Sequence, residues 1–173
     1  IVNNSDLASP NSFYWAAKAK ENTSGFNIGD VIALLDNAVE KCGLPLTSDA
    51  GQFILERVDW KLRLSQYAEA VEDYDLYYKA MNGSVGSDFY FYREQAKFRA
   101  GDMDGALADI KEAVRLSPDI PDYRAEEALK VFADWMKYNS RSIYGCTMAE
   151  PEFKEPRDCR LTQSEDGKRL YLH

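Results

Sequence analysis

Apolar positions recur at steps of three and four through the first two thirds of the chain, and turn-forming residues interrupt them at near-regular intervals. The opening NNSDLASPNS is polar and predicts a loop or frayed cap, and residues 13–21 predict a helix with Ser12 as N-cap. After NTSGFN, Val31, Leu34, Leu35 and Ala38 make the apolar stripe of a helix over residues 30–41, stopped by Cys42-Gly43-Leu44-Pro45. Two more helices are predicted over residues 50–64 and 67–81, separated only by Ser65-Gln66. Residues 88–118, DFYFYREQAKFRAGDMDGALADIKEAVRLSP, divide at Gly101-Asp102 into a further helix pair closed by Pro118. Residues 122–139 predict one long helix with Ala125, Ala128, Leu129, Phe132 and Met136 on a broad apolar face. Beyond it Pro151 and Pro156 exclude a helix. Leu161, Leu170 and Leu172 alternate with polar residues around Glu165-Asp166-Gly167, the pattern of a β-hairpin. A hairpin alone is marginal in water, so this one must pack against helices or a further sheet.

Laid over one another, the three helix pairs keep step. Trp15, Ile54 and Tyr90 hold an early large-residue position, 39 and then 36 residues apart. Val31/Ala38, Ala70/Tyr77 and Ala106/Ala113 hold paired positions in the second helices, each pair seven apart. Small residues belong there because two helices that cross closely need Ala where a larger side chain would hold the backbones apart. An early aromatic, small contact residues and a closing proline make residues 88–118 resemble a tetratricopeptide unit, whose period is about 34 residues. Residues 52–81 resemble it less closely and residues 13–41 least. Glu94 departs from the pattern where a small residue is usual, and Tyr77 departs likewise. The aromatics Trp15, Trp60, Tyr74, Tyr77, Tyr78, Tyr90 and Phe98 fall at helical spacing and belong to the inter-helix core.

The resemblance implies a short α-solenoid, about the minimum length at which stacked repeats bury a continuous core. In tetratricopeptide arrays the first helix of each unit lines a concave face across which peptides lie. By register that face includes Phe13 and Lys20, then Leu55, Asp59 and Arg63, then Asp88, Phe91, Gln95 and Arg99. Arg63 and Arg99 can clamp a carboxylate through paired N–H donors. The alternative is a solvated face with local ion pairs.

The last third resembles a different family. WMKYNSRSIYGCT and PEFKEPRDCRLTQSEDGKRLYLH are similar to the barrel-to-sandwich junction of bacterial retaining α-L-fucosidases, which carries W-M-x-x-N-x-x-S/A-I-Y-G. Trp135, Asn139, Ile143, Tyr144, Gly145, Cys146, Arg160, Leu161, Thr162 and Leu170-Tyr171 carry that similarity, which extends back to Asp122. It does not carry the activity, because that family's nucleophile and general acid lie upstream on a barrel of about 250 residues. The paired acids Glu126/Glu127, Asp102/Asp104 and Glu165/Asp166 read as solvated charges or caps. Two resemblances in one chain that starts at Ile1 suggest a fusion or a piece of a longer gene.

Composition narrows the classes further. A net charge of −8 argues against nucleic acid or an anionic membrane as partner. No run approaches the roughly 18 apolar residues of a membrane span. Cys42, Cys146 and Cys159 lack C-x-x-C spacing and His173 is the only histidine, so neither a zinc site nor a Ser–His–Asp set is expected. Cys146 and Cys159 can pair if the segment between them folds back, and buried free thiols are the alternative. The expected fold is mainly α: repeats over residues 1–121, a long helix over 122–139 serving as cap or as fucosidase-like segment, and a loop with β-hairpin over 140–173. The expected function is a non-catalytic interaction module for a peptide or protein ligand, with no cofactor and no metal. A fucosidase fragment lacking its catalytic residues is the alternative. Neither oligomeric state nor compartment follows from the sequence.

Overall fold

A computed structural model describes residues 7–144, 146–149, 152–154 and 160–172. The chain divides into two compact units, Ile1–Glu127 and Ala128–His173. The first contains three helix pairs: α1 (Pro10–Glu21) with α2 (Ile28–Lys41), α3 (Gly51–Arg63) with α4 (Tyr67–Ala80), and α5 (Ser87–Ala100) with α6 (Met103–Leu116). The seventh helix, α7 (Pro121–Asn139), begins in the first unit and ends in the second.

Local chemistry sets the helix ends. Ser9 rather than Ser12 caps α1, accepting from the Ser12 amide, and Pro10 starts the helix where its missing N–H costs nothing. Asn27 Oδ1 accepts from the Gly29 amide at 2.7 Å and starts α2 two residues earlier than the apolar stripe alone indicates. Ala50 belongs to a 3₁₀ turn, Ser48–Ala50, that runs into α3. At Gly51 an added Cβ would lie 2.4 Å from Met81 Cε and 3.1 Å from a Tyr77 ring carbon, so a larger residue at the start of α3 would make the flexible Met81 side chain shift. Gly101, at φ +90°, ends α5 in the left-handed conformation, and Asp102 accepts from the Gly105 amide at 2.9 Å to start α6. The acid Asp102 is thus a cap, as its position predicts.

The paired second-helix positions behave as expected. Val31, Ala70 and Ala106 are fully buried, as are Ala38 and Ala113, and Tyr77 is half-buried. In the first helices the structure corrects the alignment. Phe13, Phe53, Phe89 and Tyr123 are the equivalent buried aromatics, spaced by 40, 36 and 34 residues. Tyr14, not Trp15, therefore matches Ile54 and Tyr90. Trp15 is 66% exposed and Phe98 is 42% exposed, so neither belongs to the core, whereas Trp60 and Tyr74 do. Phe13 is buried and lines no surface.

Two buried arginines repeat the same contact. Arg57 of α3 donates from Nε and Nη2 to both oxygens of Asp73 in α4 at 2.8 and 2.6 Å, and its Nη1 reaches Asp36 of the preceding α2 at 2.8 Å. Thirty-six residues later Arg93 of α5 holds Asp109 of α6 at 2.8 and 2.7 Å, and Asp75 of the preceding α4 at 2.9 Å. Lys61 and Lys97, one turn on, each add an ion pair to the same aspartate, at 2.8 and 2.9 Å. Burial alone would lower the basicity of both guanidinium groups, but the bidentate aspartates outweigh it and hold both above their ordinary value. Each clasp ties three helices. In the first pair the equivalent positions are Ala17, buried, and Leu34, half-buried against the same apolar cluster, so no ionic contact is made there.

On α7 Tyr123 is buried beside Ile110 and Ala113. The apolar face expected farther along is open: Ala125, Ala128, Leu129 and Phe132 are exposed and Met136 is half-buried. In the second unit a three-stranded antiparallel sheet has the order β1 (Cys146–Met148), β2 (Leu161–Ser164), β3 (Leu170–Leu172). The expected hairpin is β2–β3, with Leu161 opposite Leu172, and the sequence pattern missed β1. Gly167, at φ +67°, donates to the Ser164 carbonyl at 2.8 Å and closes the turn. Leu161 is buried, and Thr162 Oγ1 donates to the Ser142 carbonyl at 3.0 Å. Pro151, Pro156, Cys159 and His173 lie outside the described residues, and with them the Cys146–Cys159 pairing.

Removing one member of a buried ion pair strands the other, at a cost of about 3–5 kcal/mol. Asp109 keeps its pair with Lys97, so Arg93→Ala is expected to lower the unfolding free energy by about 3 kcal/mol, the low end of that range, in urea titration. Arg93→Ala combined with Asp109→Leu, which copies the Ala17/Leu34 solution, is expected to recover most of the loss. A single variant within about 0.5 kcal/mol of the parent would show that the clasp does not hold the pairs together.

Candidate functional site

The first helices of successive pairs lie side by side. Lys18 of α1 pairs with Glu56 of α3, Gln52 of α3 donates to the Tyr14 hydroxyl at 2.8 Å, and the Tyr14 and Phe53 rings lie 5.4 Å apart. Between α3 and α5, Leu62, Tyr74, Tyr92, Gln95, Ala96 and Arg99 line a cavity of about 60 Å³. Between α5 and the start of α7, the Phe91 and Tyr123 rings are 4.8 Å apart and the Tyr123 hydroxyl donates to the Asp88 carboxylate. That hydrogen bond, then burial, raises the Tyr123 phenol above its usual value.

The sequence-derived site residues fall into separate groups. Lys20 pairs with Asp30 of α2 at 3.0 Å, toward the second helix of its own pair. Asp59 and Arg63 pair with each other at 2.8 Å, both exposed, and the Arg63 guanidinium lies 4.6 Å from the Trp60 ring centre. Asp88 and Phe91 are engaged by Tyr123. Gln95 and Arg99 meet at the cavity just described. Arg99 makes no ion pair among the described residues; its guanidinium lies 5.6 Å from the Tyr67 ring centre. Hydrogen bonding with Ser65, and next with Arg99, holds the Tyr67 phenol below its ordinary value.

Trp15 and Tyr92 of this surface escaped the sequence reading, which did place Leu55 on it. Trp15 and Leu55 are exposed, and with Phe91 they form one row once the first pair is aligned at 40 rather than 39 residues. The buried aromatics that fix this alignment are not distinguishable in sequence from their exposed neighbours. Tyr92, 56% exposed at the rim of the cavity, carried no signal beyond being aromatic. Tyr74, at the floor, is pushed up to about 12 by burial and then by the charges of Asp59 and Tyr92.

No family model and no curated protein matches the chain. Solved structures do. MamA 41-end from Desulfovibrio magneticus RS-1 superposes with a TM-score of 0.57 at 15% identity, over 78% of this chain and 72% of that one. The first TPR of Spaghetti (RPAP3), bound to the HSP90 peptide SRMEEVD, superposes with a TM-score of 0.54 at 15% identity, over 73% and 94%. The Arabidopsis OM64 TPR domain does so at 0.53 and 15%, over 72% and 96%. The fold is tetratricopeptide-like. The comparisons give no support to the fucosidase resemblance. Among the described residues no group of His, Cys, Asp and Glu is placed to hold a metal, and no helix is long and apolar enough to cross a membrane.

A tyrosine is neutral when protonated, so a raised value in the folded state means that folding tightens the proton. The stability linked to Tyr74 is fully present below the unfolded value of about 10 and is lost as pH rises through about 12. Unfolding free energy is expected to fall across that window, and Tyr74→Phe is expected to flatten the fall. Urea titrations at stepped pH check this, and an unchanged slope would contradict it.

Proposed function

We propose that the helix pairs form a non-catalytic interaction module that binds an acidic peptide or protein segment across the first helices. One observation carries the reading. Arg57 and Arg93 are each consumed by two carboxylates, whereas Arg99 stands exposed at a cavity with no ion pair among the described residues. In this reading Arg99 supplies a fork of N–H donors for a carboxylate, with Gln95 and Tyr92 beside it. Arg63, 36 residues earlier in the same register, offers a second cation once it releases Asp59. That exchange is inexpensive, because an exposed ion pair contributes only about 0–1 kcal/mol. Trp15 and Leu55 supply apolar contact, and Lys20, Asp59, Asp88 and Phe91 complete the proposed face. The neighbour bound to an acidic peptide supports the reading by likeness of fold.

The test is fluorescence anisotropy with acidic peptides, SRMEEVD among them. Arg63→Ala with Arg99→Ala is expected to weaken binding about tenfold or more, roughly 1.4 kcal/mol. Affinity is also expected to fall as salt rises. Affinity unmoved by the double change would contradict the clamp, and no binding by any acidic peptide would contradict the proposed ligand class.

A further inference from the structure

The cavity between α3 and α5 goes with two departures from the pattern of the repeats. Tyr74 of α4 stands where the flanking pairs carry Leu35 and Ile110, 39 residues before it and 36 after, and both of those are fully buried. An aliphatic side chain therefore meets the packing need at this position, and the phenol adds a hydroxyl. Ala96 of α5 stands 36 residues after the buried Trp60 of α3, so a small side chain holds the place of a large one. The cavity they line, of about 60 Å³, has the volume of roughly two waters.

Its polar lining is unpaired. Tyr74 is 6% exposed, yet its hydroxyl makes no hydrogen bond among the described residues. Water still reaches that oxygen. The half-buried Gln95 amide, in the same lining, makes no hydrogen bond there either. A buried hydroxyl without a partner is costly, and a bound group that supplies one recovers the difference. Burial keeps the Tyr74 phenol protonated at neutral pH, so it can donate as well as accept. Leu62 and Ala96 form the apolar part of the wall.

We propose that this cavity is a serine pocket, which takes the hydroxymethyl side chain of a ligand serine two residues from the carboxylate held by Arg99. The proposal rests on the acidic-segment reading above and specifies that segment further. Size sets one limit: a hydroxymethyl group matches the volume, and a branched leucine side chain exceeds it. Hydrogen bonding sets the other: a hydroxyl reproduces the bonds of the water it displaces, whereas a methyl group does not. The spacing follows from an extended ligand, in which side chains two apart share a face. The segment therefore reads Ser-x-acidic or acidic-x-Ser.

The probes are fluorescent peptides Glu-Glu-X-Glu-Glu, which place an acid two residues from X on either side. X is serine, leucine, or 2-aminobutyrate, which has a methyl group where serine has its hydroxyl. Anisotropy on the full chain is expected to show the serine peptide binding about fivefold tighter than the 2-aminobutyrate peptide, and the leucine peptide weakest. Tyr74→Phe is expected to erase the preference for serine over 2-aminobutyrate. Leu62→Ala, which enlarges the cavity, is expected to relieve the discrimination against leucine. Equal binding of the serine and 2-aminobutyrate peptides, or a preference that survives Tyr74→Phe, would overturn the serine pocket and leave the acidic-segment reading standing. If none of the three binds while SRMEEVD does, the pocket again falls alone. If no acidic peptide binds, it falls with the reading it rests on. The three peptides compared on the unaltered chain decide the matter even where a variant fails to fold.

Discussion

The helix pairs are organised around a buried arginine that no single helix can satisfy. Arg57 and Arg93 each need three well-placed acceptor oxygens in a largely water-free setting, and two of these come from the same pair and one from the pair before. A guanidinium so placed fixes angle as well as contact, because its donors lie in one plane at set directions. The small residues at Ala70, Ala106 and Ala113 let the helices approach closely enough for that geometry to close. Packing and charge thus specify the same arrangement, the agreement between levels that marks a sequence committed to one fold. The first pair carries the apolar Ala17 and Leu34 at the same positions, so within a single chain one helix pair does without the ionic contact.

This use of arginine also separates frame from surface. The clasped arginines are buried and spoken for, and a ligand would have to unfold the array to reach them. Arg63 and Arg99 lie one turn and a half farther along the same helices, exposed, with aromatic rings as their neighbours. An arginine stacked on an aromatic ring keeps its donors directed outward and loses less freedom when a carboxylate arrives. The distinction between a structural and a binding cation is therefore one of depth. Six residues along a helix change it.

Depth is also what the sequence showed least well. The helix pairs, the turn at Gly101-Asp102, the paired small residues and the hairpin about Gly167 were legible, because periodicity and turn chemistry are local. The clasps were not: Arg57 and Asp73 are sixteen residues apart and read as ordinary surface charges until the helices pack. The first repeat was misaligned by one residue because Phe13, Tyr14 and Trp15 are all aromatic, and only burial distinguishes them. That slip hid Trp15 as a surface residue and placed Phe13 on a face it does not reach. The α-L-fucosidase similarity of the last third rested on short matched stretches, and the strand Cys146–Met148 within it was missed because three residues are too few to show alternation.

The most direct test of the account is native-state hydrogen exchange on the intact chain, read amide by amide from α2 to α6. If the two clasps couple successive pairs, the most protected amides of these helices are expected to open with one common free energy, equal to that of global unfolding. If α5 and α6 open together at a distinctly lower free energy while α3 and α4 stay closed, the bond from Arg93 to Asp75 does not join the pairs. The central claim would then be wrong.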